Sequence, residues 1–72
     1  MNAKVKKELE SFAAKITRVL ELRRDAELVI KEANVLSGNY VMAEDSVQKS
    51  QVYEIAIYIV QDCLEAEKGG EG

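Results

Sequence analysis

Apolar residues in the first half of the chain recur with the period of a heptad repeat. Successive positions are separated alternately by four and three residues, beginning at Val5. The positions in this register are Val5, Leu9, Phe12, Ile16, Val19, Arg23, Ala26, Ile30 and Ala33. Because this period places one side of a helix against another helix, it predicts a first helix over about residues 3–36. The charged register position Arg23 marks where that helix could be broken, near residues 23–25.

The segment from Val52 to Val60 is apolar around nearly the whole circumference of a helix, and Glu54 is its only charged residue. It contains two neighbouring heptad lines. The first line is Val52, Ala56, Ile59 and Cys63, and the second is Tyr53, Ile57, Val60 and Leu64. An ordinary surface helix buries one stripe. We therefore expect one line to close a hairpin against the first helix and the other to meet a partner helix.

Glycine separates the two helical patterns, and the chain has no proline. Gly38, between Ser37 and Asn39, can adopt the left-handed conformation that ends many helices. Asp45 or Ser46 can cap a second helix, with Gln48 as the capping-box partner of Asp45.

These signals predict an all-α fold, an antiparallel helical hairpin in a single domain over residues 1–68. Helix 1 is expected at about 3–36, the turn at 37–45 and helix 2 at about 46–67, followed by a disordered tail over 69–72. A core formed by 72 residues barely outweighs chain entropy without a disulfide, a metal or oligomerisation. One cysteine cannot form an intramolecular disulfide, and a chain without histidine lacks the usual ligands of a structural zinc site. Oligomerisation is the remaining means of stabilisation, so we expect a homodimer when the chain is alone.

Composition argues against catalysis. There is no histidine to act as a base near neutral pH and no glycine-rich phosphate loop. The one thiol, Cys63, lies in an apolar heptad line, where burial makes a thiol unreactive. We predict a protein that is not an enzyme and has no catalytic residue, cofactor or metal. The lone cysteine, together with the lack of a signal segment, favours the cytoplasm.

Charge is distributed unevenly along the chain. Residues 1–24 contain seven bases and three acids, whereas the remainder contains three bases and ten acids. An antiparallel hairpin lays these opposite charges side by side. The acidic second half opposes contacts with phosphates, and Phe12 is the only aromatic residue that could anchor helix 1 on a membrane. Nucleic acid and membrane are therefore not expected as partners.

A DNA-binding alternative remains open from the sequence. The segment 49–57 looks like the second helix of ribbon-helix-helix repressors, which would require a strand over residues 15–22. That strand would interrupt the heptad pattern between Val5 and Val19. A generic helical dimerisation or adaptor module is a further alternative.

The second helix also carries a family resemblance. The run Tyr53-Glu54-Ile55-Ala56-Ile57-Tyr58-Ile59-Val60 resembles the apolar run in the small co-chaperones of type III secretion needle subunits, the YscE, PscE and AscE group. The interval from Gly38 to Glu54 is also similar. In this chain Tyr40 lies a few residues closer to the turn than the corresponding tyrosine of that family, and the basic N-terminal extension is longer.

The resemblance implies a non-enzymatic co-chaperone. Such a protein binds a larger chaperone with tetratricopeptide-like repeats, and the complex keeps the needle subunit soluble and monomeric before export. The residues that we predict to bind the partner are Tyr53, Ile57, Tyr58, Val60 and Leu64.

Overall fold

The computed structural model describes residues 2–69, which form two long helices packed side by side in opposite directions. Helix α1 spans Ala3–Leu36 and helix α2 spans Tyr40–Gly69. No strand occurs in the described part of the chain. The predicted all-α helical hairpin is confirmed.

Helix α1 is continuous. The side chain of Asn2 caps its N-terminus, since Asn2 Oδ1 accepts a hydrogen bond from the Val5 amide at 2.9 Å. No break occurs at residues 23–25, where Arg24 extends toward α2 instead. Residues 15–22 are also helical. This contradicts the ribbon-helix-helix alternative, which requires a strand over these residues.

The turn is shorter than the sequence suggested. Gly38 has a φ of 78° and is the left-handed residue after α1, as predicted. The amides of Gly38 and Asn39 donate to the carbonyls of Val35 and Asn34, the paired bonds of a Schellman motif. The connection therefore occupies residues 37–39, and the predicted turn over 37–45 is wrong.

Helix α2 begins six residues before the predicted start at residue 46. The Ala43 amide donates to the Asn39 carbonyl, which starts the helix directly after the turn. No glycine or proline lies between Tyr40 and Asp45 to prevent this. The extra helical turn contributes Ala43, which is buried against α1. Apart from Gly69, the predicted tail 69–72 lies outside the described residues.

The side of α1 that meets α2 is displaced by one residue from the predicted heptad line. A line of half-buried residues repeats at spacings of four and three, and most of its members are polar. They are Lys6, Glu10, Ala13, Thr17, Leu20, Arg24, Glu27, Lys31 and Asn34, and Leu9, Ile16 and Glu21 beside this line are also half-buried. One residue corresponds to a rotation of about 100° around a helix. Most of the predicted apolar line is therefore exposed beside the contact between the helices, not inside it.

The two-helix ribbon is long and thin. Its principal dimensions are 53 × 16 × 9 Å, and its radius of gyration is 16.4 Å, compared with about 11 Å for a compact chain of this length. Among the described residues, only Ala43 and Ile57 are buried apolar residues. One layer of two helices leaves most apolar side chains partly in contact with water.

Candidate partner-binding surface

The inward line of α2 is the second heptad line, extended back toward the turn. Its members alternate at spacings of three and four residues. They are Ala43, Ser46, Ser50, Tyr53, Ile57, Val60 and Leu64. Ile57 is only 5% exposed. The small residues near the turn allow the two helices to approach closely, which fixes this line inside the hairpin.

This finding places the predicted partner-binding residues in two different environments. Ile57 is buried within the hairpin, and Tyr53, Val60 and Leu64 are half-buried along the same contact. Tyr58 is 56% exposed and lies off this line. The second line, which carries most of the predicted partner-binding residues, therefore faces α1 in the hairpin by itself, and its contact with a partner remains a prediction.

Many of the uncovered apolar residues form a strip along one broad side of the ribbon, which we call the apolar face, whereas others, among them Val29 and Tyr58, lie elsewhere on the surface. It combines the predicted heptad line of α1 with the first heptad line of α2. The face consists of Val5, Phe12, Ile16, Val19 and Ile30 from α1 with Val52, Ala56, Ile59 and Cys63 from α2. Phe12 is 63% exposed and Val52 is 64% exposed, so large apolar surface is available to another molecule.

A groove runs along the apolar face near the chain termini and joins the two helices. Its volume is about 250 Å³, and its lining is almost entirely apolar. The lining residues are Leu9, Phe12, Ala13, Ile16, Ile59, Val60, Cys63, Leu64 and Glu67. The groove thus shows directly that Phe12 and Ile59 lie on the same side of the ribbon. Two predicted partner-binding residues, Val60 and Leu64, form its floor between the helices.

The opposite broad side is more polar. A second groove there is lined by Glu10, Thr17 and Glu21 from α1 and by Gln61 from α2, besides small and apolar residues. The two sides of the ribbon therefore differ in chemistry. A partner that recognises apolar surface would bind the apolar face and leave this side in water.

Arg24 and Glu54 fix the register of the two helices. Arg24 Nη1 donates to Glu54 Oε2 at 2.7 Å, and Arg24 Nε donates to Asp25 Oδ1 at 3.2 Å. The hydrogen bond from Arg24 holds the pKa of Glu54 below its usual value; partial burial opposes this shift, and Tyr58 adds to it. The same ion pairs raise the pKa of Arg24. This cluster was not predicted. Its signal in the sequence is the position of Arg24, which continues the polar line of α1 four residues after Leu20.

Few charges interrupt the apolar face. Lys49 pairs with Asp45 at 3.1 Å, which raises the pKa of Lys49. Arg23 is exposed and has no ion pair within residues 2–69. In the described part of the chain, no set of three or more acidic, cysteine or histidine residues could hold a metal ion. Cys63 is exposed at the edge of the groove, so the predicted burial of its thiol is wrong.

The fold and this surface define the class of molecule: a helical hairpin with one uncovered apolar face. Within residues 2–69, neither helix is long and apolar enough to cross a membrane. Comparison of the chain with family models, curated proteins and solved structures finds no match.

Proposed function

We propose that this protein is a non-enzymatic helical binding protein that acts by covering apolar helix surface on another protein. The observation that carries this proposal is the apolar face, which combines exposed side chains of both helices with a groove between them. A helix with apolar residues at spacings of three and four would fit such a groove. The polar opposite side would keep the resulting complex soluble.

Within this class, we propose the role that the resemblance of residues 53–60 implies. The protein would be a co-chaperone that binds a larger chaperone with tetratricopeptide-like repeats. That complex would hold a type III secretion needle subunit as a soluble monomer in the bacterial cytoplasm. A repeat protein of this kind presents arrays of helices, which suits a partner that is itself a two-helix layer.

The experiment is a capture of partners from the native host, with the tagged protein and two variants. Ile59→Asp places a charge on the apolar face, whereas Ile55→Asp places the same charge on the outer edge of α2, about 40° further around the helix from the contact with α1. The two positions are 56% and 57% exposed, so the variants are matched in residue type and accessibility. Mass spectrometry identifies the captured proteins.

A repeat-containing chaperone and a needle-like subunit captured by the wild type and Ile55→Asp, and lost with Ile59→Asp, would support the proposal. Equal capture by both variants would contradict the assigned face. If the wild type recovers only itself, the co-chaperone role is wrong. Recovery of DNA with no partner protein would contradict the co-chaperone role and favour a DNA-binding regulator.

A further inference from the structure

The ribbon exposes more surface than a stable monomer of its size. Its accessible area is 5366 Å², whereas a compact monomer of 8.0 kDa exposes about 4450 Å². The excess of about 900 Å² is close to the roughly 800 Å² that each partner buries in a standard protein interface. A second layer of helices over the apolar face would bury an area of this size and supply a common core.

We propose that this second layer is another copy of the chain, in a symmetric four-helix bundle whose two turns lie at the same end. In this dimer, α1 of each copy lies over α2 of the other, and the two apolar faces form the core. The inference goes beyond the proposed co-chaperone function and does not depend on the identity of that partner. The partner and the second copy would compete for one face.

Two face-to-face arrangements are compatible with two-fold symmetry. Rotation about the long axis of the ribbon brings the turns to the same end and places α1 over α2. Rotation about the short axis brings the turns to opposite ends and places each helix over its own copy. The distribution of charge along the ribbon distinguishes the two.

Charge favours the arrangement with both turns at one end. Residues 3–24 of α1 contain seven bases and three acids, whereas residues 52–69 of α2 contain four acids and one base. The same-end dimer places these segments over one another twice, basic over acidic. The opposite-end dimer places α2 over α2, although both halves of that helix carry net negative charge.

The position of Phe12 is compatible with the same arrangement. The register set by Arg24 and Glu54 places residue 12 of α1 at the level of about residue 65 of α2. In the same-end dimer Phe12 therefore lies over the last turns of α2 in the other copy, near Cys63.

The experiment measures both association and orientation in the purified protein. Sedimentation equilibrium gives the dimer dissociation constant of the wild type, of Ile59→Asp and of the matched control Ile55→Asp. For orientation, a spin label is attached to Asn39→Cys at the turn, in a Cys63→Ser background, and the distance between labels is measured by pulsed electron resonance. This second measurement needs no destabilising charge in the core.

We expect a dimer whose dissociation constant rises at least tenfold with Ile59→Asp and changes less than threefold with Ile55→Asp. Labels at the turns of a same-end dimer lie roughly 10–25 Å apart, given interaxial distances of about 10 Å. The opposite-end dimer separates them by nearly the 53 Å length of the ribbon. A distance near that length would overturn the arrangement, and a monomer at all concentrations would overturn the dimer. Partner capture by a monomer would leave the co-chaperone proposal intact.

Discussion

Ile57 is the residue at which the packing of the hairpin can be tested most directly. It is 5% exposed and belongs to the inward line of α2, whereas Ile55, two residues earlier, is 57% exposed. The two residues have the same side chain and lie in the same helix. Replacing each by alanine therefore compares burial while the change in helix propensity stays equal.

The cost of Ile57→Ala follows from the apolar surface that it removes. Loss of a buried methylene costs about 0.8 kcal/mol, so truncation beyond Cβ costs about 2.4 kcal/mol, to which the remaining cavity adds. The better helix propensity of alanine returns roughly 0.4 kcal/mol. We expect a net loss of about 2.5 kcal/mol for Ile57→Ala and about 0.5 kcal/mol for Ile55→Ala, against a total stability of roughly 3–5 kcal/mol for a domain of this size.

The assay is urea unfolding followed by circular dichroism at several protein concentrations, because association shifts the midpoint by mass action. The free energies of unfolding of the variants are compared at equal concentration. If Ile57→Ala and Ile55→Ala lower the free energy of unfolding equally, the second heptad line does not face α1. The assignment of the inward line, and of the apolar face with it, would then be refuted.

Three further changes test the register pair, the turn and the apolar face. Arg24 lowers the pKa of Glu54, so the stabilisation by this carboxylate is present above its unfolded pKa and is lost as pH falls through its lowered folded pKa. The difference in the free energy of unfolding between wild type and Glu54→Gln should therefore shrink as pH falls from about 6 to about 3. A difference that is constant over this range would contradict the assigned ion pair. Gly38→Ala should lower the free energy of unfolding by about 1 kcal/mol, and Gly38→Asn by less, because a Cβ there meets no atom within 4 Å and only the φ of 78° is unfavourable; equal costs would contradict a conformational cause. Arg23→Leu should tighten the dimer at least tenfold in sedimentation experiments by removing an unpaired charge from its core, and an unchanged dissociation constant would place Arg23 outside the interface.

Local signals in the sequence predicted most of the fold. The heptad period and the absence of proline gave the correct extent of α1, and Gly38 marked the turn because few other residues adopt its φ. The start of α2 was placed too late because Asp45 and Ser46 are good capping residues. The Schellman motif at Gly38 and Asn39 already satisfies the end of α1, so α2 can begin immediately and residues 40–45 need no separate cap.

The candidate surface was harder to predict because periodicity identifies a line of residues without identifying what covers it. In α1 the apolar line and the polar line beside it have the same spacing, and they differ by one residue. The hairpin uses the polar line, where Arg24 reaches Glu54. The sequence contained a signal for this choice: the small residues Ser46 and Ser50 in α2 leave room opposite long polar side chains, whose aliphatic parts can cover them.

This choice of lines determines where the stabilising free energy of the molecule lies. The contact between α1 and α2 is formed near the turn by small and polar residues, which remove little apolar surface from water. The larger apolar residues, among them Phe12 and Ile59, are exposed on the apolar face. Ion pairs as exposed as that of Arg24 and Glu54 fix the register more than they add stability. Folding and association are therefore expected to be coupled, and the midpoint of unfolding should rise with protein concentration. A midpoint independent of concentration would mean that the two-helix layer is stable by itself.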